Sequence, residues 1–214
     1  MGDSIELGVE FYVHHFRRGK NIIRFSTTPK VGREQSVAEH TNDVVYLSIF
    51  IADILFKNKE VDYHKLVRKA LYHDTVEIFT GDIVKPFKVY SGKKFKQSLN
   101  NIENKLMSEI ESYFKVKIEY IDDDIESDIV LLADIVEALC FVYEQIKMGN
   151  KFFTTHSINM LKTIKAIIEK YIDKYGISSV DAKVFESCIM NSSNNTGKST
   201  EIILFLGNKK DGSI

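Results

Sequence analysis

The sequence predicts an all-α helical bundle, on three observations. Proline occurs only at Pro29 and Pro86 in 214 residues, far below the average of ~5%, so few positions are barred from helix. Apolar residues recur at three- and four-residue intervals through most of the chain, the period of a helix with one buried face. The chain is 44% hydrophobic and 28% charged, which is enough to build one core without disulfides or a structural metal.

Each element has its own local reason. Leu7–Phe16 reads as a short first helix. Ser36 to about Phe56 follows, opened by Ser36-Val37-Ala38-Glu39, a capping box in which hydroxyl and carboxylate satisfy each other's backbone N–H groups. A helix from Asp62 to His73 places Leu66, Val67, Ala70 and Leu71 on one face. Thr80 to Pro86 is turn-rich. Long helices are then expected at Lys96–Phe114, Ser127–Lys147 and Phe153–Lys174, and a last one at Ser178–Met190. The run Asp122-Asp123-Asp124 with Glu126 reads as a solvated helix entry. One composition shift, at Asn191–Thr200, divides a domain over 1–190 from a polar linker and tail over 191–214. Within that linker Gly197-Lys198-Ser199 ends like a phosphate loop, but Ser192 stands where the first glycine is required.

Composition also excludes partners. Basic and acidic residues number 29 and 30, which argues against binding to a nucleic-acid polymer. The longest apolar runs, Val44–Phe56 and Ile129–Tyr143, are interrupted by Asp53 and by Asp134 and Glu137. They are too short for a membrane helix. Cys140 and Cys188 lack metal-type spacing and read as reduced, half-buried thiols. No basic-then-apolar leader opens the chain, and the expectation is a cytoplasmic protein.

Chemistry concentrates where helices carry residues that a core rejects. His40 lies in the first turn of an apolar helix, His73-Asp74 closes another, and Asp134 sits inside Ile129-Val130-Leu131-Leu132-Ala133-Asp134-Ile135-Val136. A carboxylate in so apolar a segment needs a cation or a metal beside it. Two imidazoles and two carboxylates form a nitrogen–oxygen set suited to a divalent transition metal with open positions. Glu77 follows His73 by four residues and Asp74 by three, so helical continuation brings it to the same place.

These residues resemble the His…His-Asp…Asp signature of the HD-domain metal-dependent phosphohydrolases, and most closely the bacterial 5′-deoxynucleotidase branch. Arg33-Glu34-Gln35-Ser36-Val37-Ala38-Glu39-His40-Thr41 is similar to that branch's approach to its first histidine. Tyr72-His73-Asp74-Thr75-Val76-Glu77-Ile78-Phe79-Thr80-Gly81-Asp82 is similar to its second block, with Pro86 and Lys88 following. The resemblance covers roughly residues 5 to 175 and implies an HD-domain helical bundle. It implies His40, His73, Asp74 and Asp134 as ligands of one divalent cation (Mn, Co, Zn, Fe or Mg). It also implies a phosphate-binding Arg24, with Glu77 and Asp82 as essential acids beside the substrate. The family follows its arginine with tryptophan; here Phe25 takes that place, in a chain without tryptophan, and is expected to cover a sugar face.

Two counts sharpen this expectation. The chain has five arginines, and Arg17, Arg18, Arg24 and Arg33 all precede His40, which suits a small phosphorylated ligand gripped by guanidinium forks. Residues 75 to 133 hold no histidine, where two-metal members of the HD family carry extra ones, so the resemblance implies one metal, with His14, His15, His64 and His156 serving structure or solvent. Arg33 and Lys88 are further candidates for the phosphate. The expected reaction is hydrolysis of a deoxyribonucleoside 5′-monophosphate to nucleoside and phosphate, by a water that the metal activates. The alternatives are a triphosphohydrolase of deoxynucleoside triphosphates, which Lys85, Lys88, Lys93 and Lys94 would suit, and a non-catalytic nucleotide-binding module. Relatives commonly pair, so a homodimer is expected.

Overall fold

The computed structural model describes residues 9–10, 12–83, 90–114 and 123–194. Among them the chain forms seven α-helices. These are α1 Val37–Leu55, α2 Tyr63–Tyr72, α3 Glu77–Thr80, α4 Gly92–Phe114, α5 Ile125–Lys147, α6 Thr154–Tyr175 and α7 Ser179–Asn194. Short 3-10 turns cover Phe16–Asn21 and Lys151–Phe153, and the one extended pairing among the described residues is an isolated bridge between Ile23 and Ser36. No described helix is long and apolar enough to cross a membrane.

Helix α5 is the axis of the bundle. It packs on α1, α2, α6 and α7, which explains why its sequence is apolar over most of its circumference. Ile129, Leu132, Leu139 and Val142 are fully buried there, against Val44 and Ile51 of α1, Leu66 of α2, and Ile164 and Ile168 of α6. Each such side chain contributes about 1.5–3 kcal/mol from its removal from water. A separate small cluster of Val76, Met107 and Ile110, with Phe16, Tyr72 and Leu106 beside it, attaches α4.

The helix ends follow the sequence closely. Ser36 and Glu39 form the full capping box of α1, and the Asp62 side chain caps α2 by accepting from the Lys65 N–H. Asp124 caps α5 in the same manner at Ser127. At the end of α6, Gly176 adopts a left-handed conformation (φ 60°), where a Cβ is disfavoured.

Several expectations need correction. Residues 9–10 and 12–14 are helical, but Phe16 opens the 3-10 turn rather than closing that helix. On α2, Leu71 is exposed and Val67 only half-buried, while Lys69 is buried. Its ammonium reaches Asp124 at 3.0 Å and the Ser127 hydroxyl at 2.8 Å, so its charge is met inside the bundle. Glu126 is likewise buried, accepting the Asp62 N–H at 2.9 Å, so the acidic run is not a wholly solvated entry. Both cysteines are exposed, because the helical turn carries them off the buried faces of α5 and α7. Helix α7 continues four residues past Met190, into the stretch expected as linker. The rest of the tail and the phosphate-loop look-alike lie outside the described residues.

Candidate metal centre

Local pairing brings the pieces of the site together. The chain at Ile22–Phe25 runs alongside the entry to α1. The Arg24 N–H donates to the Gln35 carbonyl at 2.9 Å, and the Val37 N–H to the Ile22 carbonyl at 2.8 Å. The capping box then starts α1 so that His40 points inward one turn later, fully buried. Helix α2 ends at His73, and the chain keeps turning through Asp74 to Glu77, which opens α3. Gly81 (φ 72°) breaks that turn and delivers Asp82 back toward Phe25.

Four side chains converge. One ligand-type atom from each of His40, His73, Asp74 and Asp134 lies within 4.8 Å of every other. His40 Nε2 is 3.0 Å from Asp134 Oδ1, 3.4 Å from Asp74 Oδ2 and 3.2 Å from His73 Nε2. His73 Nε2 is 3.3 Å from Asp74 Oδ2. The far nitrogens of both rings are tied off: His73 Nδ1 donates to the Ala70 carbonyl at 2.7 Å, and His40 Nδ1 bonds Glu137 Oε2. With each Nδ1–H engaged, both Nε2 atoms face the carboxylates, so that loss of the Nε2 proton would leave each ring in the tautomer that a metal ligand requires. Two imidazole nitrogens and two carboxylate oxygens so placed fit a divalent transition metal.

Asp134 sits less deeply than its sequence context implies. Its side chain is 34% exposed although Leu132 and Ala133 are fully buried, because the helical turn carries it to the edge of the cluster. The sequence asks for a cation beside it, and Arg24 Nη2 stands 3.8 Å away. Arg24 also makes a 2.7 Å bond from Nη1 to Asp74 Oδ2.

Charge in the cluster follows from burial and proximity. Burial alone would lower the imidazoles. The Asp134 and Glu137 bonds nonetheless raise His40, and Asp74 raises His73 to about 9. Asp74 is held far below the usual carboxylate range by His73, His40 and Arg24, against the cost of its burial. Asp134 is lowered mainly by its bond to His40, again against burial. Arg24 is raised, since Asp74, Asp134, Glu77 and Glu137 together outweigh the desolvation of its guanidinium. Glu77 therefore lies within electrostatic reach of the same arginine.

The other expected residues divide. Asp82 accepts the Phe25 N–H at 2.8 Å, which ties the arginine loop to the His-Asp loop. Phe25 has φ 52°, the one non-glycine residue with positive φ among those described. Its ring stacks on Phe141 at 5.6 Å and meets Phe153 and His156 edge-on at 5.5 and 6.3 Å. The ring is thus packed against an aromatic cluster. Arg33 is not drawn into the centre. Half exposed, it pairs with Glu39 at 3.1 Å and Glu144 at 3.8 Å, on a groove of about 370 Å³ that also holds Tyr46, Phe50 and Cys140. Lys88, Lys85 and Pro86 lie outside the described residues.

Sequence reasoning missed Glu137 and Gln35. Both are buried, and Gln35 Nε2 donates to Glu137 Oε1 at 2.6 Å. The signal for Glu137 was present: it interrupts an apolar run three residues after Asp134, on the same helix face. Gln35 carries no such signal, because its burial depends on how the loop before α1 folds back.

Comparison with known proteins agrees with this geometry. A family model described as 5′-deoxynucleotidase YfbR-like matches residues 11–180. The chain is 29% identical to a 5′-deoxynucleotidase of Vibrio parahaemolyticus over 151 residues, covering 65% of this chain and 76% of that protein. It is 27% identical to the 5′-deoxynucleotidase YfbR of Escherichia coli over 173 residues, covering 75% and 85%. Among solved structures, an HD-domain phosphohydrolase from Listeria innocua superposes with a TM-score of 0.64 at 27% identity, over 78% of this chain and 86% of that one. The cyanophage HD phosphohydrolase DatZ, solved with dA and one catalytic Zn2+ ion, shares the fold at 17% identity. Its TM-score is 0.57, over 83% and 91% of the two chains.

Proposed function

This chain belongs to the YfbR-like 5′-deoxynucleotidase family, and on that premise we propose that it hydrolyses deoxyribonucleoside 5′-monophosphates to nucleoside and phosphate. It is a metal-dependent nucleotide phosphohydrolase of the HD class. The observation that carries the reading is the convergence of His40, His73, Asp74 and Asp134 with the Arg24 guanidinium against it. Those four residues would hold one divalent cation. A cation there supplies Lewis-acid chemistry at a phosphoryl oxygen and lowers the pKa of water.

The chain's own residues do the rest. Arg24 presents its guanidinium fork to the phosphate, a planar match that lysine lacks. Its place beside Asp74 and Asp134 keeps it charged and aimed at the cluster. Glu77, at the start of α3, moves a proton at the leaving 5′-oxygen. Asp82 is a positioning residue, which fixes the loop carrying Arg24 through the Phe25 N–H. Phe25 supports that loop by packing on Phe141 and Phe153. The reading includes a homodimer; the exposed apolar side chains of Tyr12, Tyr46 and Leu71, which line one groove, are consistent with pairing.

The test is a panel of mono- and triphosphates with deoxy- and ribosugars, run with Mn, Co, Zn and Mg. Phosphate is expected from deoxyribonucleoside 5′-monophosphates, with activity lost on chelation and in Asp134→Ala. Release of triphosphate, or hydrolysis of nothing on the panel, overturns the proposal. Sedimentation at micromolar concentration checks the dimer.

A further inference from the structure

Glu137 is a buried acid that the reaction does not use directly. It stands on α5 one turn after Asp134, so a single helix grips His40 on both sides. Asp134 Oδ1 is 3.0 Å from the ring's Nε2, and Glu137 Oε2 bonds its Nδ1. The other oxygen, Oε1, accepts from Gln35 Nε2 at 2.6 Å. Gln35, His40 and Glu137 are 1%, 0% and 6% exposed. Burying a carboxylate costs several kcal/mol unless its oxygens are engaged, and here both are.

We propose that Glu137, backed by Gln35, is a positioning residue that locks the His40 ring with Nε2 toward the metal cluster. Without an acceptor at Nδ1 the imidazole is free to turn about its Cβ–Cγ bond or to carry its proton on Nε2, and either change removes a ligand. Gln35 stops the carboxylate from turning away. Its place in the segment that caps α1 couples the start of that helix to α5 across 102 residues of sequence. His73 has a different arrangement, its Nδ1 anchored by the Ala70 carbonyl of its own helix. The Nδ1 atoms of the two histidines are therefore anchored by different means, that of His73 by a backbone carbonyl and that of His40 by a side chain.

The inference rests on the reading of the four-residue cluster as a metal site, and the test separates the two. Metal-free protein is titrated calorimetrically with Mn2+ and with Zn2+, beside Glu137→Ala, Glu137→Leu and Glu137→Gln. Removal of the acceptor is expected to weaken binding about 10- to 100-fold in both the Ala and Leu variants; the Leu variant fills the vacated space. Glu137→Gln keeps an oxygen that can accept from Nδ1–H and is expected to stay clearly closer to wild type than either. A loss smaller than about ten-fold in both apolar variants, or a Gln variant as weak as Ala, overturns the role of Glu137. Wild-type protein that binds neither ion overturns the metal-site reading itself.

Discussion

The tie between Asp82 and Phe25 offers the sharpest test of how Arg24 is held. Asp82→Ala removes a 2.8 Å bond from a backbone N–H to a carboxylate, and hydrogen bonds to charged groups contribute about 1.5–3 kcal/mol. The tether also maintains Phe25 at φ 52°, a left-handed conformation that costs a side-chain-bearing residue about 1–2 kcal/mol. Once released, the loop relaxes and carries Arg24 off its line to the cluster. If the full bond energy acts on positioning, kcat/KM falls about 10- to 150-fold, at 1.36 kcal/mol per decade. The assay is phosphate release from a deoxyribonucleoside 5′-monophosphate under saturating metal. Asp82→Asn, whose amide oxygen still accepts the N–H, should lose less than about ten-fold, below the range for the full bond. In the Arg24→Ala background, Asp82→Ala should add little, because both act through one guanidinium. An Asn variant as inactive as Ala, or losses that multiply in the double variant, would refute the positioning role and return Asp82 to direct contact beside the substrate.

Other outcomes follow from single contacts. Arg33→Ala should leave kcat/KM within about two-fold of wild type, since its partners Glu39 and Glu144 form exposed pairs of small energetic weight; a ten-fold loss would return it to the substrate site. Ser36→Ala removes the hydroxyl that accepts the Glu39 N–H and should cost about 1 kcal/mol of stability, a fall of about 2–4 °C in Tm for a domain of this size, read by thermal melting. Asp128 is lowered despite its burial because Tyr175, Lys174 and Tyr171 donate to its carboxylate. Its folded pKa therefore lies below the unfolded value of about 3.9, so its stabilisation is present above that value and fades as pH falls through the folded one. In melts from pH 7 to pH 2, Asp128→Asn should lose less stability than wild type below about pH 4; parallel curves would contradict this.

Local rules account for most of what was legible. Helix boundaries at Ser36, Asp62 and Asp124 follow from capping side chains within three residues of the N–H they serve. Helices α4, α5 and α6 were readable because long periodic segments have one satisfactory conformation. The errors are non-local. Leu71 was expected inside and is exposed, while Lys69 turns inward because Asp124 and Ser127, at the start of α5, meet its charge there. Nor does any local pattern announce that Phe25 packs on Phe141 and Phe153, which come from α5 and the turn after it.

The sequence by itself determined an all-α chain and the four chemistry-bearing residues His40, His73, Asp74 and Asp134, since each breaks a helical apolar pattern that is local. The tertiary structure decided what surrounds them. It brought Glu137 and Gln35 together behind His40, set Arg24 against two carboxylates, joined Asp82 to the arginine loop, and sent Arg33 away to a surface groove. The difference is physical. Helix propensity and capping act over three or four residues, whereas a buried charge finds its partner only when distant segments pack and exclude water.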